Sequence, residues 1–576
     1  MRKLLKYLKD YKLESILGPL FKLLEASFEL MVPLVMAKVI DVGIKNHDLS
    51  YIIRMGGFLV LLGIIGLTCS ITAQFFAAKA ASGFGTSLRN DLFAHINRLS
   101  YQEIDATGTA TLITRMTSDV NQVQSGVNIF LRLFLRSPFV VFGAMIMAFS
   151  INVKAALIFA ISIPVLSVVV FGIMLISMPL YRNVQKQLDR VLLAARENLG
   201  GIRVIRAFNR QNDEIRRFDE ENGLLVKFQV FVGKISALMN PLTYVIINLA
   251  IIILIQTGAR QVQNGIITQG EVVALVNYMS QILVELVKLA NLIITISKSL
   301  ACANRISSVF SMEPGIKEKN QEFVEGNRNV PKIEFDEVSL IYKGAKAESL
   351  GGINFEVMKG ETIGIIGGTG SGKTTVVNLI PRFYDVSHGS VKVEGVDVRE
   401  YPLKQLRGLV GIVPQKAVLF KGSIRENIQW GKKGASDEEI YRALTIAQAK
   451  EFVDDKGEGL DFMIQAGGKN LSGGQRQRLT IARAIVKDPQ ILILDDSASA
   501  LDFATDARLR RAIKEETTGM TVFLVSQRAS TIRNADKIIV LDDGKMAGCG
   551  THKDLLKTCE VYREICLSQL SEQEVQ

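Results

Sequence analysis

The chain contains Gly367-Gly368-Thr369-Gly370-Ser371-Gly372-Lys373-Thr374, a stretch that fits the phosphate-binding pattern G-x-x-x-x-G-K-[ST] at every fixed position. The apolar run 362–366 before it is typical of a buried strand, and 375–380 after it has the character of a helix start. Glycines let successive backbone N–H groups point at phosphate oxygens, and a helix N-terminus adds its positive dipole end. We expect Lys373 to reach the β- and γ-phosphates and the Thr374 hydroxyl to ligate Mg²⁺. The stretch therefore predicts a nucleotide site on an α/β domain.

Other polar side chains stand where buried strands are expected to end. They are Gln415 after 410–414, Asp495 and Asp496 after 491–494, and Gln527 after 521–526. A further motif, Leu471-Ser472-Gly473-Gly474-Gln475, opens an apolar helix. Because open α/β sheets bind ligands at the carboxyl ends of their strands, we expect these groups to gather around the phosphate loop.

The first half of the chain has a different composition from the second. Hydrophobic residues make up 48% of the 576 residues, mean hydropathy is +0.24, and the apolar excess lies before about residue 300. Each apolar run is close to or above the ~20 residues that cross a bilayer. The runs are 15–40, 52–80, 128–150, 155–178, 238–260 and 270–297. We therefore predict a transmembrane domain of six helices over 1–310, a linker over 311–330 and the α/β domain over 331–576.

Charge indicates the orientation in the membrane. The net charge is +11, and Arg and Lys recur in 1–12, 79–127 and 181–235. The short loops on the other side carry only Lys45, Lys154 and Arg260. This bias predicts a multi-pass protein of the cell membrane with both termini in the cytoplasm. It argues against nucleic acid as a partner, because the basic residues flank apolar spans.

Two features of the membrane half bear on transport. Helical periodicity continues past the second and fourth spans, and each excursion turns at a short polar stretch, near 101–108 and 207–211. Charged residues also lie in the apolar runs, namely Glu25, Glu29, Glu285 and Lys288. Intramembrane charge marks a functional site by default. An alternative is structural, because Glu25 and Glu29 share a helix face and Glu285 could pair with Lys288 at i, i+3.

The order of these motifs resembles an ATP-binding cassette (ABC) domain. Six preceding spans with two cytoplasmic excursions resemble an exporter half-transporter of the multidrug, lipid and peptide family. The resemblance implies that Tyr342 stacks on adenine, and that Thr374, Gln415 and Asp495 surround Mg²⁺. The phosphates of ATP would be held by Gly367, Gly368, Thr369, Gly370, Ser371, Gly372, Lys373, Thr374 and Thr375. The turns near 101–108 and 207–211 would be coupling helices that rest on the cassettes.

The same resemblance implies a second subunit. Cassettes of this family pair head to tail with two ATP molecules between them. The residues that would close over the partner's γ-phosphate are Ser472, Gly473, Gly474 and Gln475. Asp502 would contribute to the contact between the two sites.

Two positions depart from the family pattern. Asp496 stands where the family usually has a glutamate that polarises the attacking water, and Gln527 stands at the switch histidine. The missing methylene withdraws the carboxylate by about 1.5 Å. A misplacement near 1 Å can cost about 100-fold in rate, and an amide cannot exchange a proton near neutral pH as histidine does. We therefore predict that this chain's own site binds ATP but hydrolyses it poorly.

The predicted function is ATP-driven export of lipophilic compounds by the catalytically impaired half of a heterodimeric exporter embedded in membrane lipid. One alternative is a homodimeric exporter or lipid flippase with slow hydrolysis. Another, of a different class, is a channel that ATP regulates. Sequence leaves the substrate and the partner open.

Overall fold

The computed structural model describes residues 4–318, 322–327, 330–497, 499–517 and 519–569. The chain divides into two compact units, one of 1–97 with 110–312 and one of 98–109 with 313–576. Some predicted positions lie outside the described residues: 1–3 of the basic N-terminal segment, 319–321 and 328–329 of the linker, and 570–576 at the end of the cassette.

The first unit is helical. A 3₁₀ segment, Leu4–Tyr11, precedes the first helix, and π-helical turns occur at Val39–Ile44 and Arg115–Asp119. The α-helices up to residue 318 are α1 Lys12–Lys38, α2 Leu49–Ile96, α3 Tyr101–Thr107, α4 Thr109–Thr114, α5 Val120–Leu133, α6 Arg136–Ile151, α7 Val153–Gly200, α8 Ile202–Ala207, α9 Gln211–Ala237, α10 Met239–Gln263 and α11 Gln269–Phe310. Of these, α3 belongs to the second unit.

Within the described residues, five helical stretches are long and apolar enough to cross a membrane. They are Leu49–Ile96, Thr109–Ile151, Val153–Gly200, Gln211–Gln263 and Gln269–Phe310. The remaining predicted span corresponds to α1, whose 27 residues exceed the ~20 required. It carries three charged residues along its middle, Lys22, Glu25 and Glu29, which lower the hydropathy of the helix. The chain is a multi-pass membrane protein.

The two longest helices extend far beyond a bilayer. Helices α2 and α7 each have 48 residues, which at 1.5 Å per residue is about 72 Å, against about 30 Å of hydrocarbon. Both helices therefore continue without a break past the second and fourth apolar runs, as the helical periodicity predicted. The short helix of the second excursion, α8, ends at Ala207, so the predicted stretch 207–211 is mostly the turn that follows it.

The second unit is built on β-sheets. Its strands are β1 Ile333–Leu340, β2 Leu350–Val357, β3 Thr362–Gly367, β4 His388–Val393, β5 Val396–Asp397, β6 Val410–Val413, β7 Gly422–Ser423, β8 Met463–Ile464, β9 Ile491–Asp495, β10 Thr521–Val525, β11 Lys537–Asp542 and β12 Lys545–Gly550. In the part of the chain that the structure describes, these form sheets in the orders β2-β1-β4-β5, β12-β11-β3-β10-β9-β6 and β7-β8.

Helices cover these sheets. They are α12 Lys373–Leu379, α13 Leu403–Leu409, α14 Ile424–Gln429, α15 Asp437–Ile446, α16 Lys450–Asp454, α17 Gly473–Ile485, α18 Phe503–Glu516, α19 Ala529–Ile532, α20 His552–Thr558 and α21 Glu560–Leu567, with 3₁₀ turns at Gly459–Asp461 and Ala466–Gly468.

The second sheet sets the position of the site. Strands β11, β3, β10, β9 and β6 run parallel, and β12 adds an antiparallel edge. Every residue of β9 and β10 is buried, as expected for apolar strands covered on both faces. Because parallel strands share one carboxyl edge, the residues that follow β3, β6, β9 and β10 meet there.

Candidate nucleotide site

The phosphate loop joins β3 to α12 and depends on glycine at two positions. Gly370 and Gly372 have φ angles of 86° and 93°, in the region that side chains with a Cβ atom disfavour. A Cβ on Gly372 would also approach Leu350 Cδ2 to 2.7 Å. By contrast, a Cβ on Gly368 would meet nothing within 4 Å, so the space beside this glycine is open. The loop is therefore held in a conformation whose backbone is open to a ligand.

The Lys373 side chain bends back across this loop. Its ammonium donates to the carbonyl oxygens of Gly367 at 2.9 Å and Gly368 at 2.6 Å. Burial lowers the pKa of Lys373, because removal from water disfavours the charged form. An anionic phosphate beside this ammonium would offset that loss of hydration. The residue thus fits the phosphate-binding role that the motif predicts.

The cation-binding side of the site is formed by Thr374 and Asp495. The Thr374 hydroxyl donates to Asp495 Oδ1 at 3.0 Å, so two oxygen ligands of the kind that Mg²⁺ prefers lie together. Asp495 is 4% exposed, and burial raises the pKa of its carboxyl group. A divalent cation would offset this cost by stabilising the carboxylate. These residues therefore fit Mg²⁺.

Tyr342 follows β1 and lies beside the same helix start. Its hydroxyl shares a hydrogen bond of 3.0 Å with Thr375 Oγ1, and its ring meets Tyr384 edge-on at 5.1 Å between centroids. Burial raises the pKa of the Tyr342 phenol, so the hydroxyl stays protonated near neutral pH. The ring is held at the mouth of the loop, where a nucleotide base could stack on it.

These elements enclose a cavity of about 420 Å³, within the usual range for small-molecule sites. Of the predicted residues it is lined by Tyr342, Thr369, Gly370, Gly372, Lys373, Thr374, Thr375, Gln415, Asp495, Asp496 and Gln527. Gly367, Gly368 and Ser371 belong to the loop but are not among the residues that line this cavity; Gly367 and Ser371 are buried, and Gly368 is exposed. Sequence reasoning did not single out five further lining residues: Val525, Glu348, Ser349, Asp543 and Gly544. The last two follow β11, and the apolar run 538–541 ending in an acidic turn was the signal for them.

Asp496 has an unusual backbone for a residue with a side chain. Its φ is 46°, and its N–H donates to the Val525 carbonyl at 2.9 Å. Its carbonyl accepts from Ser499 Oγ at 2.8 Å. The side-chain amide of Gln415 donates a long hydrogen bond to the carboxylate, with 3.4 Å between Gln415 Nε2 and Asp496 Oδ2. The backbone of Asp496 is therefore fixed on both sides.

Gln527 lies across the cavity from the loop and is exposed. Its backbone carbonyl accepts from Gln569 Nε2 at 2.8 Å, and Gln569 Oε1 accepts from the Ala529 N–H at 2.9 Å. The side-chain amide of Gln569 thus holds the backbone on both sides of Arg528, next to Gln527. Nothing in the local sequence signalled this contact, because the two segments are about 40 residues apart.

The residues predicted to serve a partner's nucleotide do not line this cavity in the described part of the chain. Ser472 caps α17: its Oγ accepts from the Gln475 N–H at 3.2 Å, and Gln475 Oε1 accepts from the Ser472 N–H at 3.0 Å. Asp502 caps α18 by accepting from the Thr505 N–H at 3.0 Å. Ser472, Gly473 and Asp502 are exposed. Both helix N-termini are therefore accessible from outside the chain.

A phosphate loop, a buried acidic strand end and a glutamine at one sheet edge, in a chain with membrane-spanning helices, define a membrane-embedded ATPase of the phosphate-loop class. The family description "ABC transporter transmembrane region" matches residues 15–286, and "ABC transporter" matches 350–499. The chain belongs to the ABC transporter family. It has the family's exporter arrangement, in which a transmembrane region precedes one cassette in the same polypeptide.

Relatives match along the whole length. The chain is 35% identical over 569 residues to the uncharacterized ABC transporter ATP-binding protein YfiB of Bacillus subtilis, covering 99% of this chain and 98% of YfiB. It is 35% identical over 472 residues to an ATP-dependent lipid A-core flippase of Desulfotalea psychrophila, covering 81% and 82% of the two chains. The putative multidrug export ATP-binding/permease protein YgaD of Bacillus subtilis is 31% identical, with 98% of each chain covered.

A solved structure shows the same fold. The structure of a bacterial Atm1-family ABC exporter with ATP bound has a TM-score of 0.80 at 24% identity, covering 97% of this chain and 99% of the other. The resemblance inferred from the motifs and the predicted fold class are confirmed.

Proposed function

We propose that this chain exports lipophilic compounds as the catalytically impaired half of a heterodimeric ABC exporter. The observation that carries the proposal is the position of Asp496 and Gln527, the two departures from the family pattern. Both line the cavity that contains Lys373 and Thr374. The two substitutions therefore affect one chemical step at one site.

Binding of ATP is supported by the intact part of that site. Lys373 and the backbone of the phosphate loop would hold the phosphates, Tyr342 would stack on adenine, and Thr374, Gln415 and Asp495 would surround Mg²⁺. When bound, the ion would neutralise charge on the phosphates. Each residue type at these positions suits its proposed ligand.

Slow hydrolysis follows from the two departures. The backbone of Asp496 is held by Val525 and Ser499, so it cannot advance to compensate for a side chain about 1.5 Å shorter than glutamate. A poorly placed base leaves the attacking water unpolarised. Gln527 could donate a hydrogen bond to phosphate, but it cannot exchange a proton during turnover.

The intact motif at the start of α17 supports a heterodimer. The Ser472–Gln475 motif is complete, and the N-terminus of α17 is accessible. Helix N-termini bind phosphate well, so this chain could serve a partner's nucleotide while it turns over its own slowly. A partner with a glutamate and a histidine at the corresponding positions would then carry most of the hydrolysis.

Coupling to the membrane is proposed to use α3 and α8. The Tyr101 ring of α3 lies 4.6 Å from Phe383 between centroids, and Tyr384 donates to Asp105 Oδ2 at 2.8 Å. Helix α3 is thus attached to this chain's cassette. Helix α8 has no buried residue, and we propose that it rests on the partner's cassette. Closure of the cassettes on ATP would then switch the membrane cavity from inward- to outward-facing.

The basic loops support an orientation in the cell membrane with both termini cytoplasmic. Lipids are included among the proposed substrates because one relative is named a lipid A-core flippase.

Transport in inverted vesicles tests the proposal. The vesicles contain this chain co-expressed with a candidate partner half-transporter, with the cassettes outside. ATP is expected to drive accumulation of the lipophilic dye ethidium above its external concentration, and a non-hydrolysable ATP analogue is expected to give none. An ATP-regulated channel would instead let dye equilibrate without exceeding the external concentration, and that outcome would reject an exporter.

A further inference from the structure

Four charged residues from three membrane helices form a continuous chain in the first unit. Arg136 of α6 donates to Glu29 of α1 at 2.6 Å and to Glu285 of α11 at 2.5 Å. Glu285 also accepts from Lys288 at 2.8 Å and from the Ser137 hydroxyl at 2.8 Å. We call Glu29, Arg136, Glu285 and Lys288 the charge chain.

The middle of the charge chain is enclosed in the apolar core. The side chains of Arg136 and Glu285 are 7% and 3% exposed. Ala26, Leu30, Val140, Ile282 and Leu286 belong to the surrounding cluster. The Tyr278 hydroxyl donates to the Leu30 carbonyl at 2.6 Å, which ties α11 to α1 beside the chain. Packing and hydrogen bonds between the helices therefore hold the charged side chains in place.

Stability does not account for these charges. A buried ion pair is often no more stabilising than apolar residues of the same size. Arg136 Nε is also buried without a hydrogen-bond partner among the described residues, which adds to the cost. Charged residues retained inside a membrane domain at such a cost mark functional sites.

The two ends of the charge chain are accessible and opposite in sign. The Glu29 and Lys288 side chains are 41% and 42% exposed, whereas the four residues together carry no net charge. The neighbouring pair Lys22 and Glu25 is neutralised internally at 2.5 Å, with side chains 8% and 17% exposed. A ligand with a single charge would leave a net charge in a medium of low dielectric constant. A ligand that carries one positive and one negative charge would contact both ends of the charge chain and leave no net charge.

We propose that the charge chain binds the polar end of an amphipathic substrate, and that this end is zwitterionic, with an ammonium group for Glu29 and a phosphate or carboxylate for Lys288. The apolar helix faces around the site would contact the tail of the substrate. This inference rests on the proposed export function and names the chemical class of its substrate.

Binding of three amphiphiles with equal tails tests the inference. The full chain in an uncharged maltoside detergent is titrated with lauroyl lysophosphatidylethanolamine, lauroyl lysophosphatidic acid and dodecylammonium, and bound molecules are counted by native mass spectrometry. The zwitterion is expected to bind about tenfold more tightly than either probe whose charge is of one sign only, since it gains a second charged hydrogen bond.

Charge-removing variants at the accessible ends sharpen the test. Glu29→Gln leaves the site with an excess positive charge and is expected to shift the preference to the anionic probe. Lys288→Met leaves an excess negative charge and is expected to shift it to dodecylammonium. Lys154→Met removes an exposed lysine elsewhere, and it should keep the wild-type preference. Folding of each variant is checked by its thermal unfolding midpoint.

Equal binding of the three probes to the wild type, or an unchanged preference in both end variants, would overturn the inference. Because the assay needs no ATP turnover, it separates this inference from the proposed function. Dye transport without headgroup preference rejects the zwitterion site alone, and headgroup preference without transport rejects the exporter alone.

Discussion

Asp496→Glu combined with Gln527→His is expected to raise ATP turnover at this chain's own site by about 100-fold. The glutamate restores the methylene that brings the carboxylate about 1.5 Å closer to the water, and a misplacement of that order costs about 100-fold, or about 2.7 kcal/mol of barrier. The histidine restores a group that can exchange a proton near neutral pH. Because both residues line the cavity with Lys373 and Thr374, no other part of the site needs to change.

Phosphate release at saturating ATP is the measurement, in an assembly whose partner site is silenced by replacing the partner's own catalytic glutamate. Asp496→Asn is the matched control, because it removes the charge without lengthening the side chain, and it should not raise turnover. ATP affinity is measured in parallel and should stay within a few fold. If turnover of the double variant equals that of the wild type, the limitation lies outside these two positions.

Gly473→Asp is expected to reduce ATP hydrolysis by the assembled heterodimer by about 100-fold or more, although Gly473 lies outside this chain's own site. A Cβ at Gly473 meets only the Ala500 Cβ, at 4.0 Å, so the side chain is tolerated. Aspartate in the first turn of α17 also suits the helix dipole, and folding should be retained. The new carboxylate would occupy the position proposed for the partner's γ-phosphate. Loss of one phosphate-stabilising group costs about 100- to 1,000-fold in comparable sites.

Gly473→Asn is the control for size without charge, and it should reduce hydrolysis much less than aspartate. Both variants are assayed for steady-state hydrolysis after the partner has been co-purified in equal amount. Equal activity of Gly473→Asp and the wild type would show that the Ser472–Gln475 motif does not act on the hydrolysed nucleotide.

Local sequence specified much of the site, because its parts follow from short patterns. The phosphate loop lies between β3 and α12 as its flanks predicted. Asp495 ends β9, and Gln415 and Gln527 follow β6 and β10, so all three lie at the shared carboxyl edge of parallel strands. The i, i+3 spacing of Glu285 and Lys288 allowed the two side chains to pair, and the structure shows the ion pair at 2.8 Å.

Contacts between distant segments were beyond such reasoning. Arg136 bridges Glu29 and Glu285, which are separated from it by 107 and 149 residues, and only the packing of α1, α6 and α11 brings them together. The role of Gln569 beside Gln527 was missed for the same reason. The first span illustrates another limit, since the charges of α1 weaken its hydropathy although its helix is long enough to cross the membrane.

The central claim is that this chain binds ATP but depends on a different subunit for hydrolysis. ATP hydrolysis in lipid is therefore measured for the chain purified alone and again after co-expression with a candidate partner half-transporter. Near-zero activity alone, with ATP still bound, and strong activity of the pair would agree with the account. Full turnover by the chain alone would show an active homodimer and contradict it.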